Sequence, residues 1–311
     1  MIKCTKKIEK GSYMKILIIG GSYFLGRIFT MNACQKHDLT LVNRGQYSMS
    51  SYHVKELHFD RHDQKQWAQI KESFDTVIDF CAYQKGDIKI VVEALKDHIK
   101  NYIYISTVDV YLRHTQHIKD ENSPLEYRHF AGEVGDYIYH KRLLEEELVD
   151  VCHQYNLHYC SIRPGNIYGP FNYAPRESLL IKRVIDKQPL FHLTDAKAKF
   201  QMVYVEDVCQ AILTIIEHHL FDQSFNIIHD EFINYDTINT ILQKIHPVIL
   251  EDHSIQEAIN QQYPLPYPIF KEEEELYSGK KIEAFGFHYT PFEEGLLKTY
   301  QAFYPIFSKK Q

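Results

Sequence analysis

A glycine-rich turn between an apolar run and an amphipathic stretch constrains the fold of this chain more than any other feature. The apolar run begins at Met14, the turn contains Gly20 and Gly26, and the amphipathic stretch covers residues 27–34. Gly20 permits backbone geometry that other residues resist, and Gly26 lets a helix pack closely on a strand. A strand, a tight turn and a helix N-terminus together favour a pyrophosphate-binding site for a dinucleotide. An ordinary strand-to-helix connection without a ligand is the alternative.

The middle position of this G-x-x-G-x-x-G pattern holds Tyr23, where the backbone would lie closest to a pyrophosphate. A side chain is tolerated there if the φ angle is negative and the ring points away from the phosphates. We therefore expect reduced or selective cofactor affinity. The predicted contacts of the turn are Gly20, Ser22, Tyr23, Phe24, Leu25 and Gly26.

The composition indicates a globular protein that acts on a small molecule. Its 311 residues are 44% hydrophobic and 24% charged, and its net charge of −6 gives no general attraction for nucleic acid or anionic membranes. The six cysteines lack C-x-x-C spacing, which predicts thiols in a reducing compartment and no metal site. Without a membrane-length apolar run or a secretory start, we predict a cytoplasmic protein. Residues 1–13 are expected to be a flexible extension.

Alternating strand and helix patterns predict an α/β fold, a Rossmann-type doubly wound parallel sheet with a smaller mixed α/β lobe. Residues 14–170 form the predicted dinucleotide-binding domain. Residues 171–311 form mainly a substrate-binding lobe, with some segments returning to the sheet. A capping box, Thr290 with Glu293, is predicted to open the last helix, and the run 272–275 is interpreted as a solvated face or helix start. Predicted strands cover 39–43, 56–59, 76–81, 102–106, 157–163, 199–205 and 224–228; predicted helices cover 88–98, 137–152, 179–187, 207–218 and 237–246.

Asn43 and Arg44 follow the second predicted strand, where such folds place the adenosine ribose. A neutral residue followed by arginine favours the 2′-phosphate of NADP over NAD, because guanidinium and phosphate pair well. Arg44 as a plain surface charge is the alternative. Asp60 follows the third strand and is placed to meet the adenine, although a turn-forming aspartate would show the same pattern.

Tyr137 and Lys141 lie one helical turn apart in a predicted helix between two sheet strands, and Tyr137 comes 30 residues after Thr107, which follows the end of the fifth strand. A lysine there can lower the tyrosine pKa and hold a nicotinamide ribose, which makes the phenol a proton donor or acceptor. Thr107 is predicted to hydrogen-bond the reacting oxygen, and Asp109 is a further candidate acid or base. His140 is interpreted as a surface or packing residue.

These motifs together resemble the extended short-chain dehydrogenase/reductases, the superfamily of nucleotide-sugar epimerases and dehydratases. The resemblance is carried by 20–26, 106–107, 137–141, 163–170, 205–207 and the tail motifs near 278–296. It implies a catalytic set of Thr107, Tyr137 and Lys141, and a possible homodimer through helices including that of Tyr137. The remaining predicted cofactor contacts are Arg61, Cys81, Ala82 and Pro164, and the predicted substrate contacts are Thr107, Asn166 and Tyr204.

Two departures from the family pattern narrow the function. Val108 replaces the acid that protonates the leaving hydroxyl in sugar 4,6-dehydratases, which argues against that reaction. Tyr23 and the Asn43-Arg44-Gly45 segment resemble a divergent branch that includes the chloroplast stem-loop-binding proteins. We therefore predict an NAD(P)-dependent epimerase or oxidoreductase acting on a hydroxyl or ketone carbon, with a nucleotide sugar as one candidate substrate. The alternatives are an RNA-binding protein and a cofactor sensor on the same scaffold without turnover. The net negative charge of the chain argues against RNA binding.

Overall fold

The structure is a computed structural model that describes residues 13–114 and 117–310. Its central sheet has seven strands in the order β10-β6-β5-β4-β1-β2-β3, and strands β1 to β6 pair in parallel. The predicted doubly wound α/β fold is confirmed. Apart from Tyr13, the predicted extension over residues 1–13 lies outside the described residues. The strands are β1 (Lys15–Ile19), β2 (Asp38–Asn43), β3 (Lys55–His58), β4 (Phe74–Asp79), β5 (Ile99–Ile105), β6 (His158–Pro164), β7 (Asn166–Tyr168), β8 (Leu190–Leu193), β9 (Met202–Tyr204), β10 (Gln223–Ile227) and β11 (Leu250–His253).

Helices flank the sheet and bury apolar faces against it. In α3, the residues Ile88, Val91, Val92 and Leu95 recur at helical spacing and are fully buried in one core cluster with side chains of β4 and β5. This confirms the amphipathic pattern predicted there. The helices are α1 (Phe24–Ala33), α2 (Gln64–Trp67), α3 (Asp87–Leu95), α4 (Glu133–Gln154), α5 (Glu177–Ile185), α6 (Val205–Glu217), α7 (Tyr235–Ile245), α8 (Ile255–Asn260), α9 (Lys280–Glu283) and α10 (Phe292–Phe307).

The N-terminus of α3 is capped by a residue from another helix. Its own N-cap is Gly86, which has no capping side chain. Instead, the Glu147 carboxylate in α4 accepts hydrogen bonds from the backbone N–H groups of Gly86, Ile88 and Lys89, at 2.5, 3.1 and 2.8 Å. A carboxylate at this end satisfies unpaired donors and complements the helix dipole.

The chain divides into two compact units that each draw on separate stretches of sequence. The first comprises the described residues up to Ser106, His129–Ile162 and Ile212–Ser224, and the second comprises Thr107–Arg128, Arg163–Ala211 and residues from Phe225 onward. The predicted division into residues 14–170 and 171–311 stays a prediction.

The second unit contains two short parallel strand pairs, β7 with β9 and β8 with β11. Its last helix, α10, begins differently from the prediction. The Thr290 backbone N–H and hydroxyl donate to Asp207, at 2.9 and 2.7 Å, and Pro291 takes the N-cap position without a side-chain cap. The predicted capping box of Thr290 and Glu293 is therefore wrong, because a carboxylate distant in sequence holds the threonine.

Candidate functional site

The glycine turn of the first unit requires glycine at both ends. Gly20 has φ +84°, and a Cβ there would meet Cys81 Sγ at 3.0 Å. A Cβ on Gly26 would lie 2.5 Å from the carbonyl oxygen of Gly20. The turn therefore brings the start of α1 against the end of β1, and α1 has no acidic residue in its first turn. Such an N-terminus is suited to an anion.

Tyr23 adopts the backbone conformation that makes a side chain tolerable in this turn. Its φ is −136° and its ψ is 141°, so the first condition for a side chain at this position, a negative φ, is met. The ring is 47% exposed and stacks on Tyr47, with centroids 5.2 Å apart and planes 19° apart. The other predicted contacts Ser22, Phe24 and Leu25 are buried beside it. The turn is thus intact with a tyrosine in its middle position.

In the segment that ends β2, the Asn43 side chain stabilises the backbone by hydrogen bonds, whereas Arg44 lies at the surface. The Asn43 carboxamide oxygen accepts from Gly45 N–H at 2.7 Å, and its amide nitrogen donates to Glu56 at 3.2 Å. Asn43 is buried, whereas Arg44 is exposed. Of the two residues predicted to lie near the adenosine ribose, only Arg44 is exposed to solvent, and it carries a positive charge.

Asp60 and Arg61 occupy different environments although they are adjacent. Asp60 is exposed, and hydrogen bonds from His62 lower its pKa, with Arg44 contributing to the same effect. Arg61 is buried and donates to Asp79 at 3.0 and 2.7 Å and to the Asp87 carbonyl at 2.7 Å. These contacts make Arg61 an internal brace, so the geometry does not favour its predicted role as a cofactor contact.

Lys141 lies under the carboxyl ends of β4 and β5. Its Nζ donates to the carbonyls of Ala82 at 3.1 Å and Ile105 at 2.9 Å, and it lies 5.8 Å from the Tyr137 ring centroid. Burial lowers the pKa of Lys141 to about 8. Tyr137, one turn earlier on α4, is 40% exposed. The predicted pair is therefore present in one unit, with a buried amine beneath an accessible phenol.

The remaining predicted cofactor contacts of the sheet edge are buried or partly buried. Burial raises the pKa of the Cys81 thiol to about 12, which disfavours the thiolate. Ala82 and Pro164 are buried at the ends of β4 and β6. The Ser106 hydroxyl is buried and has no hydrogen-bond partner among the described residues. It therefore donates no hydrogen bond to a neighbouring carbonyl.

In the second unit, Thr107 and Asp109 are joined by two hydrogen bonds. The Thr107 hydroxyl donates to the Asp109 carboxylate at 3.0 Å and accepts from the Asp109 N–H at 3.2 Å. This arrangement caps a short 3-10 turn over Val108–Val110. The threonine predicted to orient a substrate oxygen is thus itself oriented by an acid.

Asn166 and Tyr204, the other predicted substrate contacts, differ in accessibility. Asn166 is exposed and accepts from Arg176 Nη1 at 2.6 Å. Tyr204 is 2% exposed, with its ring packed against Tyr168 at 5.5 Å. The geometry favours Asn166 and not Tyr204 as a contact for a ligand.

Sequence reasoning missed most of a small cavity that lies wholly within the second unit. Asn166 and Asp109 line it together with Phe200, Gln201 and Tyr277. The Gln201 amide donates to the Tyr277 carbonyl at 2.8 Å and accepts from the Tyr277 N–H at 2.8 Å, which fixes the backbone of one wall. No local motif marks these residues, because their partners are about 76 positions apart.

The described residues contain neither a metal-ligating cluster nor a membrane-spanning helix. No group of three or more His, Cys, Asp or Glu side chains in 13–114 and 117–310 is arranged to hold a metal ion. No helix in the described part of the chain has the length and apolarity to cross a membrane.

The sheet order and the strand–glycine turn–helix unit after β1 define an α/β fold of the Rossmann class. The model of the NAD dependent epimerase/dehydratase family matches residues 84–227 of this chain. The predicted resemblance to the extended short-chain dehydrogenase/reductases is thereby confirmed.

Comparison with a curated protein supports the predicted branch. The chloroplast stem-loop binding protein of 41 kDa b of Arabidopsis thaliana is 26% identical over 250 residues, which are 74% of this chain. The match spans 62% of the plant protein's length, less than two thirds of it.

Solved structures share the fold over nearly the whole chain. A putative epimerase from Burkholderia cenocepacia has a TM-score of 0.78 at 16% identity, covering 96% of this chain and 100% of its own. The UDP-glucose 4-epimerase of Thermotoga maritima, solved with UDP-glucose, has a TM-score of 0.73 at 16% identity, covering 94% and 99%. The dTDP-glucose 4,6-dehydratase of Bacillus anthracis, solved with NAD, has a TM-score of 0.74 at 17% identity, covering 96% and 99%. At these identities, the likeness shows the fold.

Proposed function

We propose that this protein is an NAD(P)-dependent epimerase or oxidoreductase that acts on a hydroxyl or ketone carbon of a small molecule. Tyr137 exchanges the proton of the substrate hydroxyl, Lys141 holds the nicotinamide ribose and favours the phenolate, and Thr107 orients the reacting oxygen. A dinucleotide bound at the glycine turn would supply the hydride acceptor. Such a protein would be an epimerase if the hydride returned to the opposite face of the substrate, and a reductase or dehydrogenase if the transfer were net.

The observation that carries this proposal is the position of Lys141 relative to Tyr137. The amine is fixed by the carbonyls of Ala82 and Ile105 at the carboxyl edge of the sheet. Ligands bind at that edge in doubly wound folds. A buried cation one turn from an accessible phenol is the arrangement that stabilises a phenolate.

The turn residues fit a dinucleotide. The close approach of Gly26 to the Gly20 carbonyl and the N-terminus of α1 form a cradle that a Cβ would obstruct. The Tyr23 ring stacks on Tyr47, and in this conformation we expect it to leave the pyrophosphate position open. We therefore assign Gly20, Ser22 and Gly26 to the pyrophosphate.

The exposed Arg44 favours NADP over NAD. A guanidinium after β2 can pair with a 2′-phosphate, and Asn43 adds no repelling charge. The nearby Asp60 carboxylate is the opposing feature, because its lowered pKa keeps it ionised. We expect NADP to bind more tightly, with NAD accepted more weakly.

The test is the Tyr137→Phe variant measured with the NADP-bound protein on a panel of sugars, nucleotide sugars and ketones. We expect turnover to fall by about a hundredfold or more with cofactor affinity retained, because an acid/base group is lost. Tyr139→Phe, two positions along the same helix, is the matched control. Normal turnover of Tyr137→Phe on the true substrate would overturn the mechanism.

RNA binding is the second candidate, favoured by the similarity to the plant stem-loop binding protein. The net charge of −6 opposes it, because phosphate contacts need lysine and arginine. Filter binding with a structured RNA at physiological salt separates the two functions. Saturable, salt-sensitive binding would support this candidate, and its absence would dismiss it.

A further inference from the structure

The Asn43 side chain fixes the hydrogen-bonding state of His58, the last residue of the edge strand β3. The two residues are partners in the parallel pairing of β2 with β3. The Asn43 amide nitrogen donates to Glu56 at 3.2 Å, and its oxygen accepts from the Gly45 N–H at 2.7 Å. The same oxygen lies 3.0 Å from Nδ1 of His58. Because a carboxamide oxygen only accepts, Nδ1 of His58 carries a proton.

This tautomer assigns the variable proton of His58 to its other ring nitrogen. With Nδ1 protonated, Nε2 accepts a hydrogen bond in the neutral ring and donates one in the charged ring. Within residues 13–114 and 117–310, His58 makes no other hydrogen bond, and it is exposed. Nε2 is therefore available to a ligand in either state.

His58 lies beside the segment predicted to meet the adenosine ribose. A Cβ on Gly45, the residue after Arg44, would lie 3.4 Å from Cγ and Nδ1 of the His58 ring. Arg44 is exposed and makes no hydrogen bond in the part of the chain that the structure describes. Both residues stand at the carboxyl ends of neighbouring strands, which is the ligand-binding edge of a doubly wound sheet.

The carboxylates around this segment are already bound by other donors. Glu56 accepts from the hydroxyl and the backbone N–H of residues 48 and 49, at 3.1 and 3.0 Å. Asp60 accepts from the backbone N–H and Nδ1 of His62, both at 2.9 Å, and its charge interacts with Arg44. The guanidinium and the imidazole therefore keep their donors for an anion.

We propose that His58 selects between the two dinucleotides according to its charge. In the charged ring, Nε2–H donates to the 2′-phosphate of NADP beside Arg44. In the neutral ring, Nε2 accepts from the 2′-hydroxyl of NAD. Protonation favours NADP, because a charge-assisted bond forms to the phosphate, whereas a lone pair facing a phosphate oxygen is repelled. The inference rests on the proposed function, since it deepens the cofactor selectivity assigned to Arg44.

Calorimetric titration of the full-length protein with NADP and with NAD tests the proposal. Histidine changes its charge between about pH 5 and 8. A phosphate monoester has a second pKa of about 6 and stays mainly dianionic above it. From about pH 8 to about pH 6.5, the ratio of NADP to NAD affinity should therefore rise by about threefold or more. A ratio that stays constant or falls would overturn the proposal.

Two substitutions locate this pH dependence. His58→Asn removes Nε2, while the new amide can still donate to Asn43, and it should leave the affinity ratio nearly independent of pH. His62→Asn is the matched control, because a hydrogen bond to Asp87 raises the pKa of His62, which also titrates near Arg44. This variant should keep the wild-type dependence. Loss of the dependence in His62→Asn, or its survival in His58→Asn, would contradict the assignment to His58.

Nitrogen NMR of histidine-labelled wild-type protein tests the tautomer without relying on the variants' affinities. At about pH 8, where histidine is mainly neutral, the His58 ring should carry its proton on Nδ1. A proton on Nε2 instead would overturn the proposal. Failure of both dinucleotides to bind would reject the proposed function together with this inference, whereas binding of both at a pH-independent ratio would reject this inference alone.

Discussion

The ring of Tyr23 stacks on the ring of Tyr47, with centroids 5.2 Å apart and planes 19° apart. Tyr23 belongs to the glycine turn after β1, and Tyr47 belongs to the loop after β2. The two proposed cofactor-binding segments, for the pyrophosphate and for the adenosine ribose, are therefore joined by an aromatic contact. About half of each ring remains exposed.

Loss of this contact is expected to weaken dinucleotide binding. An aromatic pair contributes about 0.5–1.5 kcal/mol, so Tyr47→Ala should lower NADP affinity by about two- to tenfold through a less ordered loop. Tyr47→Phe keeps the ring and should bind normally. In fluorescence titrations, the Tyr23→Ala, Tyr47→Ala double variant should bind little worse than either single variant. Additive losses would show that the two rings act separately.

Replacement of Arg44 should change cofactor selectivity. Arg44→Ala removes a charge-assisted pair of about 1.5–3 kcal/mol, so NADP affinity should fall by roughly ten- to hundredfold with NAD affinity nearly unchanged. Lys36→Ala is the control, because this exposed lysine precedes β2 and Arg44 follows it. Equal losses for NAD and NADP would reject a 2′-phosphate contact.

The buried Lys141 should make stability depend on pH in the alkaline range. Burial lowers its pKa from 10.5 to about 8. Between these values, the unfolded chain holds a proton that the folded chain has released, so stability rises with pH in this window. From about pH 7 to pH 10.5, wild type should gain roughly 3 kcal/mol of unfolding free energy relative to Lys141→Met.

Urea unfolding of both proteins at the two ends of that range measures this difference. The lost hydrogen bonds to the Ala82 and Ile105 carbonyls cost the variant stability at every pH, so only the change with pH is diagnostic. A constant difference across the range would show that folding does not lower the pKa of Lys141.

The buried ion pair of Arg61 and Asp79 should be far more important for stability than an exposed pair. Asp79→Asn removes the closer of two carboxylates beside Arg61, with Asp87 remaining at 3.8 Å, and should cost up to about 3–5 kcal/mol. Lys100→Ala breaks an exposed pair with Asp75, and its cost should stay below about 1 kcal/mol. Chemical denaturation compares the two. Similar small costs would mean that solvent reaches Arg61.

The alternation of strands and helices was predictable because it is encoded locally. The central parallel strand β1 is buried on both faces from Ile16 to Ile19 and therefore forms a short apolar run. The pairing of Tyr137 with Lys141 was predictable from their spacing of one helical turn together with the position of their helix between two sheet strands, since Tyr267 with Lys271 has the same spacing without that context.

Interactions between distant parts of the chain were not predictable in this way. Thr290 fits a capping box by local pattern, yet Asp207, 83 positions earlier, binds it. Arg61 follows a strand as a cofactor contact would, yet Asp79 holds it inside the unit. Three-dimensional proximity decided both outcomes, and a single sequence contains no local signal of it.

The Glu147 carboxylate that caps α3 also has a consequence for the order of folding. The helix it caps lies about 60 positions earlier in the chain. The first turn of α3 is therefore completed only after α4 docks, so these two helices should gain hydrogen-exchange protection together and not in sequence order. The long loop between α3 and α4 must close before Glu147 can cap α3. The docking of α4, which also carries Tyr137, is therefore the earliest folding step at which this cap can stabilise α3.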